Sequence, residues 1–583
     1  MKRRLWSAVA VGLVGCGVVF AVGALQQAAN PKLELPAVLP EGALLTIEAR
    51  DFSALLRDWN TSEEKRAWLV SDNHAAFSNS RLFNRLSQAQ DEFTAAAGLP
   101  TDESLLEKVA GKESCLGLYD IGNLEFVYVT RLDMNEIEST PLWQIRDKFE
   151  QRTEAGTAFY VHKDADSPRV AAFGARDGLL ILGTREDLVA GVLDRLAGIA
   201  SHNVSNDGWY TEAVQQAAGE RGDLRMVLNL GKLVPSPYFR SYWVQRNITE
   251  MKQYSSAVSD LYRSGQSYRE ERVLVRRAGL PAVSQGDATA LAALAPADAA
   301  FYAAQASPDP ETLLRSLRTN LLEAGPERPG DERTSAPPAA VAENAGSTEQ
   351  LDIPIDTAPQ AVQLADPFQP LRALLLAQAP DASLEVFSTR APQAGAPSGS
   401  AVFVSLQAAM VIASPRSWDE DAVRKALIAA LPGDLTAGRL GLTWEKRSTA
   451  GETLALEGAV PLFIAVKGQR LLLANDSALL EHLLAQAQNN VPGEGKDRVT
   501  YIALFRHTHE RSNFRLLMAQ LDRAGNRGAA DQQAETAGGQ GPAFFSGDVA
   551  SLSRVFSRVE SERVEEKDLG AKVTQTVTYE WTR

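Results

Sequence analysis

Four pairs of segments recur along this chain in the same order, and a chain that repeats its elements is built to fold each copy on one plan. LPEGALLTIEARDFSALLRDW, from Leu39, is echoed by APADAAFYAAQASPDPETLLRSL, from Ala295. Pro40 matches Pro296, and Leu55, Leu56 and Arg57 match Leu313, Leu314 and Arg315. Each copy reads as a turn, a strand and a helix. DGLLILGTREDLVAGVLDRL, from Asp177, matches GQRLLLANDSALLEHLLAQA, from Gly468, both an apolar strand running into an amphipathic helix. Thr184 and Asn475 fall on one position as expected helix N-caps, and Asp187 completes a capping box with Thr184.

The third pair, LRMVLNLGKLVPSPYFRSYWVQ from Leu224 and VTYIALFRHTHERSNFRLLMAQ from Val499, aligns without gaps, so that Phe239, Arg240 and Gln245 recur as Phe514, Arg515 and Gln520. Both copies close on a strand, SYREERVLVRR from Ser267 and KVTQTVTYEWTR from Lys572, the latter with Val573, Val577, Tyr579 and Trp581 on one face at period two. LEFVYVTRL, TAFYVH and RVAAFGA read as further strands, and PLWQIRDKFEQR as a helix on the spacing Leu142, Ile145, Phe149. Strands outnumber helices and often follow one another directly. The expected fold class is therefore α+β, a tandem duplication of a mixed, largely antiparallel sheet domain with packed helices. The expected boundaries are 1–34 for a signal-anchor and short linker, 35–277 for the first repeat, 278–292 for a linker and 293–583 for the second repeat. Insertions near 325–360 and 524–542 lack the large apolar residues that offset ordering entropy, and disorder is expected there.

Lys2, Arg3 and Arg4 precede a stretch from Leu5 to Leu25 without a charge. At 1.5 Å rise per residue, its 21 residues are about enough to cross a hydrocarbon core of ~30 Å. Apolar length favours a retained transmembrane anchor. Two cleaved forms stay open: Leu13, Val14, Gly15 and Cys16 match the lipobox of bacterial lipoproteins, with Cys16 as the lipidation candidate, and Val22 and Ala24 suit an ordinary signal peptidase. In each case the positive start stays inside and the body is exported. The expected location is the bacterial inner membrane, single-pass, with the body in the periplasm or outside; lipoprotein and secreted forms are the alternatives.

The net charge of −14 argues against a nucleic-acid partner. Only two cysteines are present, and Cys16 lies in the targeting stretch, so no internal disulfide framework is available to the body. Cys115 reads as a small buried hydrophobe rather than a nucleophile. In RHTHE, His507 and His509 share a strand face and are the candidates for a metal, but the first copy carries Lys232 and Val234 there and no third ligand is identifiable. SEEK, Ser62 to Lys65, followed by Ser71, Asp72 and Asn73, has the letters of penicillin-binding motifs without their spacing or a Lys-Thr-Gly; Ser62 is better read as a helix N-cap. His74, His162, His202 and His482 are scattered, with His482 on an exposed or rim position. Tyr238, Phe239, Tyr242 and Trp243 are expected to pack in a core. No catalytic residue, cofactor site or metal site is assigned.

The LP start followed by strand and helix, the central strand and helix and the repeated closing strand together resemble a group of bacterial membrane-anchored envelope proteins known only by a domain of unknown function. The resemblance covers most of the chain after about Leu35. It implies a membrane-tethered extracytoplasmic location and brings no activity or site residue. The leading expectation is a non-enzymatic binding or scaffolding protein of the envelope whose partner is another envelope protein or a glycan. A lipid or apolar-ligand carrier is the second reading, and a hydrolase, testable at Ser62, His507 and His509, is the third.

Overall fold

The computed structural model describes residues 33–70, 74, 78–79, 81–163, 169–217, 219–238, 251–265, 267–280, 286–322, 366–389, 406–431, 444–448, 452–456, 461–489, 499–508 and 559–581. The stretch from Leu5 to Leu25 with Cys16, the 325–360 and 524–542 insertions, Ser71 to Asn73, Phe239, Arg240, Tyr242, Trp243, Gln245, His509, Phe514, Arg515 and Gln520 lie outside the described residues. Among the described residues no helix is long and apolar enough to cross a membrane. Contacts divide the chain into two units, one of Met1–Asn60 with Asn84–Val258 and one of Thr61–Phe83 with Ser259–Arg583.

In the first unit eight strands form one antiparallel sheet: β1 (Leu45–Ala49), β2 (Ser114–Asp120), β3 (Glu125–Arg131), β4 (Glu150–Glu154), β5 (Thr157–Lys163), β6 (Val170–Arg176), β7 (Leu179–Gly183) and β8 (Leu224–Leu228). Their order across the sheet is β4-β5-β6-β7-β3-β2-β1-β8. The β6–β7 hairpin turns on Asp177 and Gly178, with φ of 52° and 71°, the paired positive values that a two-residue type I′ turn requires. Period-two alternation sorts the strand residues between two cores. Val127, Val129, Cys115 and Ile181 face one, which helices α4 (Glu186–Leu196) and α5 (Gly208–Ala217) cover with Leu188, Val189, Val192, Leu193 and Tyr210. Tyr128, Leu180, Leu182 and Phe173 face the other, where α2 (Arg81–Ala97) and α3 (Glu103–Val109) contribute Phe93, Ala96, Ala97, Leu105 and Val109, and α1 (Phe52–Thr61) contributes Phe52.

The strands read from LEFVYVTRL, TAFYVH and RVAAFGA are β3, β5 and β6. Two local expectations are corrected. The helix expected over PLWQIRDKFEQR is a single turn, Pro141–Gln144, and a 3-10 turn, Arg146–Lys148, before β4 begins at Glu150. Leu142 and Phe149 are still buried, but the residues after Phe149 gain a full ladder with β5, which a helix would forfeit. Thr184 and Asn475 do not cap helices. Thr184 Oγ1 accepts from Phe126 N at 2.9 Å, and Asn475 Oδ1 accepts from Ala408 N at 2.8 Å. Each side chain thus continues a strand pairing by one residue, and in the second unit Asp476 serves as the cap, accepting from Leu479 N at 2.9 Å. Asp187 pairs with Arg185 instead of closing a capping box.

The second unit holds β10 (Ser267–Arg276), β11 (Phe301–Ala306), β12 (Ala382–Thr389), β13 (Leu406–Ala413), β14 (Trp444–Ser448), β15 (Glu452–Leu456), β16 (Leu462–Lys467), β17 (Arg470–Ala474), β18 (Tyr501–Phe505), β19 (Val559–Asp568) and β20 (Lys572–Trp581), and the chain enters it within β9 (Tyr254–Ser264). Their order is β14-β15-β16-β17-β13-β12-β11-β18-β19-β20-β10, again antiparallel throughout. The division at Val258 falls earlier than the 277 read from the sequence because β10 pairs with β20 from Ser267 to Val275. Ala288, Leu291 and Ala292, within the stretch read as a linker, are buried in this unit's core. In a second core of this unit, helix α6 (Pro310–Leu317) buries Leu313, Leu314 and Leu317, α7 (Gln369–Gln378) buries Leu371 and Leu375, and α8 (Glu420–Ala430) buries Val423 and Leu427.

Candidate functional site

The candidate site is a cavity of about 650 Å³ between the first unit's sheet and its helices. Its floor is made by residues of five adjacent strands, β8, β1, β2, β3 and β7. Ile47 and Ala49 on β1 stand opposite Leu116 and Ser114 on β2, and Ala49 stands opposite Leu224 on β8. Phe126 and Tyr128 on β3 and Leu182 on β7 extend this floor, and Phe52, Phe93, Leu105, Leu106 and Val109 form the helical wall. Phe52 meets Tyr128 edge to face at 6.3 Å between ring centres, and Phe93 lies 6.1 Å from Phe126. The volume suits a drug-sized or single-chain ligand, and the lining is dominated by apolar and aromatic side chains.

The helical wall is held by polar contacts at the α2–α3 corner. Thr94 and Thr101 share a hydroxyl hydrogen bond of 2.6 Å, Gln90 Nε2 donates to Thr101 O at 2.8 Å, and Asp102 caps α3 by accepting from Leu105 N at 3.1 Å. His162 Nδ1 lies 2.7 Å from Ala96 O and ties the end of α2 to β5. The polar groups on the floor are satisfied within the protein: Tyr128 Oη donates to Ser114 Oγ at 3.0 Å, and Ser114 and Thr130 share a hydrogen bond of 2.6 Å. Among the described lining residues, the hydroxyls deep in the cavity, those of Ser114 and Tyr128, are bonded within the protein. At the mouth, Ile47 is 36% exposed and Leu106 39%.

On the opposite face of β1 the pattern is inverted. Glu48 is only 2% exposed, with Oε1 accepting from Tyr210 Oη at 2.7 Å and from Thr46 Oγ1 at 3.2 Å, and Oε2 lying 3.4 Å from Arg221. Burial pushes its carboxyl above the usual carboxylate range, against the opposing pull of Arg221, Tyr210 and Arg225. A carboxyl raised on folding keeps its proton longer in the native state. Its contribution to stability is therefore full below the unfolded pKa and is lost as pH rises through the folded one. Glu48→Gln is expected to flatten the decline of stability with pH above the ordinary value of 4.5, as read by urea midpoints across pH. An unchanged slope would place Glu48 outside that linkage.

Cys115 faces Glu48 across the β1–β2 register and is fully buried, and burial pushes its thiol well up, so it is a packing residue as expected. Ser62 is an N-cap, accepting from Lys65 N at 3.0 Å. His507 is buried beside Phe505, with ring centres 4.1 Å apart, and its Nε2 lies 3.7 Å from Glu562. Among the described residues no group of three or more His, Cys, Asp or Glu side chains is arranged to hold a metal ion. His482 is exposed, whereas Tyr238, expected in a core, is 48% exposed.

No cavity residue was singled out from the sequence. The only available signal was the alternation in LLTIEA, which would ordinarily send Ile47 inward and Glu48 outward. No family model and no curated protein matches the sequence. Among solved structures, crystal form III of TP0453 aligns with a TM-score of 0.22 and 10% identity over 43% of this chain and 82% of that one. Crystal form I of TP0453 aligns with a TM-score of 0.23 and 9% identity over 43% and 81%. A likeness this slight carries no argument about function.

Proposed function

We propose that this chain is a membrane-tethered extracytoplasmic binding protein, a tandem duplication whose first unit carries an apolar ligand such as a lipid chain. The observation that carries the reading is the apolar cavity of about 650 Å³ with a self-satisfied polar floor. Packed interiors hold few voids, so a lined space of this size is open to a ligand. The tether rests on the uncharged run from Leu5 to Leu25.

The duplication is supported by strand order. Adding ten to each label in β4-β5-β6-β7-β3-β2-β1-β8 reproduces β14-β15-β16-β17-β13-β12-β11-β18. The matched bonds of Thr184 to β3 and Asn475 to β13 support it independently. The copies differ where the ligand would sit. Leu313 and Leu314 of α6 are 2% exposed and fill the second unit's core, whereas α1, which carries the matching Leu55 and Leu56, has no buried residue. On this reading the second copy packs its sheet face with its own leucines and the first leaves that face for a ligand.

Gentle extraction of the full-length protein from membranes, followed by native mass spectrometry, tests the reading. A bound apolar molecule is expected, present in wild type and displaced by excess alkyl amphiphile. Repeated recovery of a ligand-free protein that also fails to bind an apolar dye would overturn it.

A further inference from the structure

How an apolar ligand reaches the cavity turns on α3, which stands between it and solvent. Leu105 and Val109 line the cavity and are buried, while Leu106, which also lines it, is open to solvent at the mouth. The two ends of α3 are fastened differently. At its C-terminal end Gly111 N donates to Thr130 Oγ1 at 3.0 Å, Gly111 O accepts from Ser53 N at 3.1 Å, and Phe52 N donates to Lys112 O at 2.7 Å. A Cβ at Gly111 would collide with Arg131 O and Thr130 Oγ1, so the backbone there lies directly on β3 and is a fixed point. At its N-terminal end the chain arrives through Gly98, with φ of 67° and open space among the described residues where a Cβ would stand. Thr101 is then joined to α2 through side chains: its hydroxyl lies 2.6 Å from that of Thr94, its N donates to Thr94 Oγ1 at 3.3 Å, and its O accepts from Gln90 Nε2 at 2.8 Å. Bonds between neutral groups at a partly exposed corner are exchanged for bonds to water at small net cost. α2 itself is tied to β5 through His162 and Ala96 O, and to the start of β6 through Arg169 Nε, which donates to Glu92 at 2.7 Å.

From this asymmetry we infer that α3 is the gate of the cavity: it swings about Gly111, breaking the latch that Thr101 makes with Thr94 and Gln90, and so admits and releases the ligand while α2 stays in place. The inference rests on the apolar-ligand reading above. The second copy supplies the contrast. The helix in the corresponding place, just before β12, is α7, whose Leu371 and Leu375 are fully buried and whose Arg372 pairs with Glu311 of α6 at 2.8 Å. That helix is locked into a filled core. α3 has the cavity behind it, so part of its apolar face has no packing to lose when it moves. Motion of such a lid acts on the rates of entry and exit alike.

The test uses the full-length protein carrying Thr94→Cys with Thr101→Cys, and follows an apolar fluorescent dye by stopped flow. Hydroxyls 2.6 Å apart place the two sulfurs within bonding reach, and Cys115 is fully buried and does not compete. Oxidised to the disulfide, the pair is expected to take up and release dye at least ~30-fold more slowly than after reduction, with Kd within ~2-fold. Thr101→Val, which keeps the shape of the side chain and removes its hydroxyl, is expected to speed both rates ~3- to 10-fold, about the worth of one such bond, again at unchanged Kd. Equal rates in the oxidised and reduced pair overturn the inference and leave the cavity reading standing. So does a disulfide that weakens Kd without slowing exchange, since α3 would then shape the site rather than gate it. Should the pair not oxidise, Thr101→Val decides, and unmoved rates there overturn the inference. Wild type that binds no apolar dye overturns the cavity reading itself and this inference with it.

Discussion

Leu116→Trp is expected to abolish apolar-ligand binding in the first unit while leaving its fold intact. Leu116 stands on the cavity floor, opposite Ile47 on β1, which in turn stands opposite Met226 on β8. An indole there projects into the space between the sheet and the α2–α3 wall. In a packed core such an enlargement costs about 1–3 kcal/mol, because neighbours must leave their rotamer wells. Over a cavity of about 650 Å³ the ring has room, so the cost to stability is expected to stay below ~1 kcal/mol. Affinity for an apolar dye is expected to fall at least ~30-fold, or about 2 kcal/mol. Urea unfolding and dye titration on the same preparation separate the two effects. Unchanged dye affinity in a stable variant would place the ligand elsewhere, and a large loss of stability would mean the space is already filled.

The second large effect belongs to Arg276. Its Nη1 and Nη2 donate to Asp568 Oδ1 and Oδ2 at 3.0 and 2.9 Å, and Nη1 also donates to Gly570 O at 2.9 Å. The two side chains are 3% and 4% exposed. Asp568 Oδ1 also accepts from Gly570 N at 2.8 Å, and Gly570, with φ of 81°, makes the turn between β19 and β20 that a side chain would strain. The pair thus fastens the end of β10 to the closing hairpin. Arg276→Ala is expected to destabilise the second unit by about 3–5 kcal/mol, mostly because it takes from a buried carboxylate the guanidinium that holds it at both oxygens. Replacing both partners, Arg276→Met with Asp568→Leu, removes that carboxylate as well and is expected to recover most of the loss. Urea midpoints of the three proteins decide the matter. Equal losses in the single and double variants would show that the bond geometry, and not the carboxylate left behind, carries the effect.

Much of the architecture is legible locally. β3, β5 and β6 follow from period-two alternation of apolar side chains, and the strand-then-helix order after β1, β7, β11 and β17 follows from a change of period from two to 3.6. Helix termini were less legible. Thr184 and Asn475 have the chemistry of N-caps, yet each lies one residue beyond a strand pair whose partner backbone offers a donor, and that donor takes the side-chain oxygen. The 141–149 stretch has a helical apolar spacing, yet a neighbouring strand edge draws the chain into a ladder from Glu150.

The cavity was not legible, and β1 shows why. Thr46-Ile47-Glu48 alternates as a strand should, and the sequence by itself determined that Ile47 and Glu48 point to opposite faces. Which face is closed depends on elements far along the chain. α5 brings Tyr210 over Glu48, and Arg221 reaches the same carboxylate, so the polar residue is buried and satisfied. On the other side α2 and α3 stand off the sheet, and Ile47 is left at a cavity mouth. Alternation is a property of the backbone and survives in any context, whereas coverage is a distance between elements set by long-range packing, and no local pattern of residues encodes it.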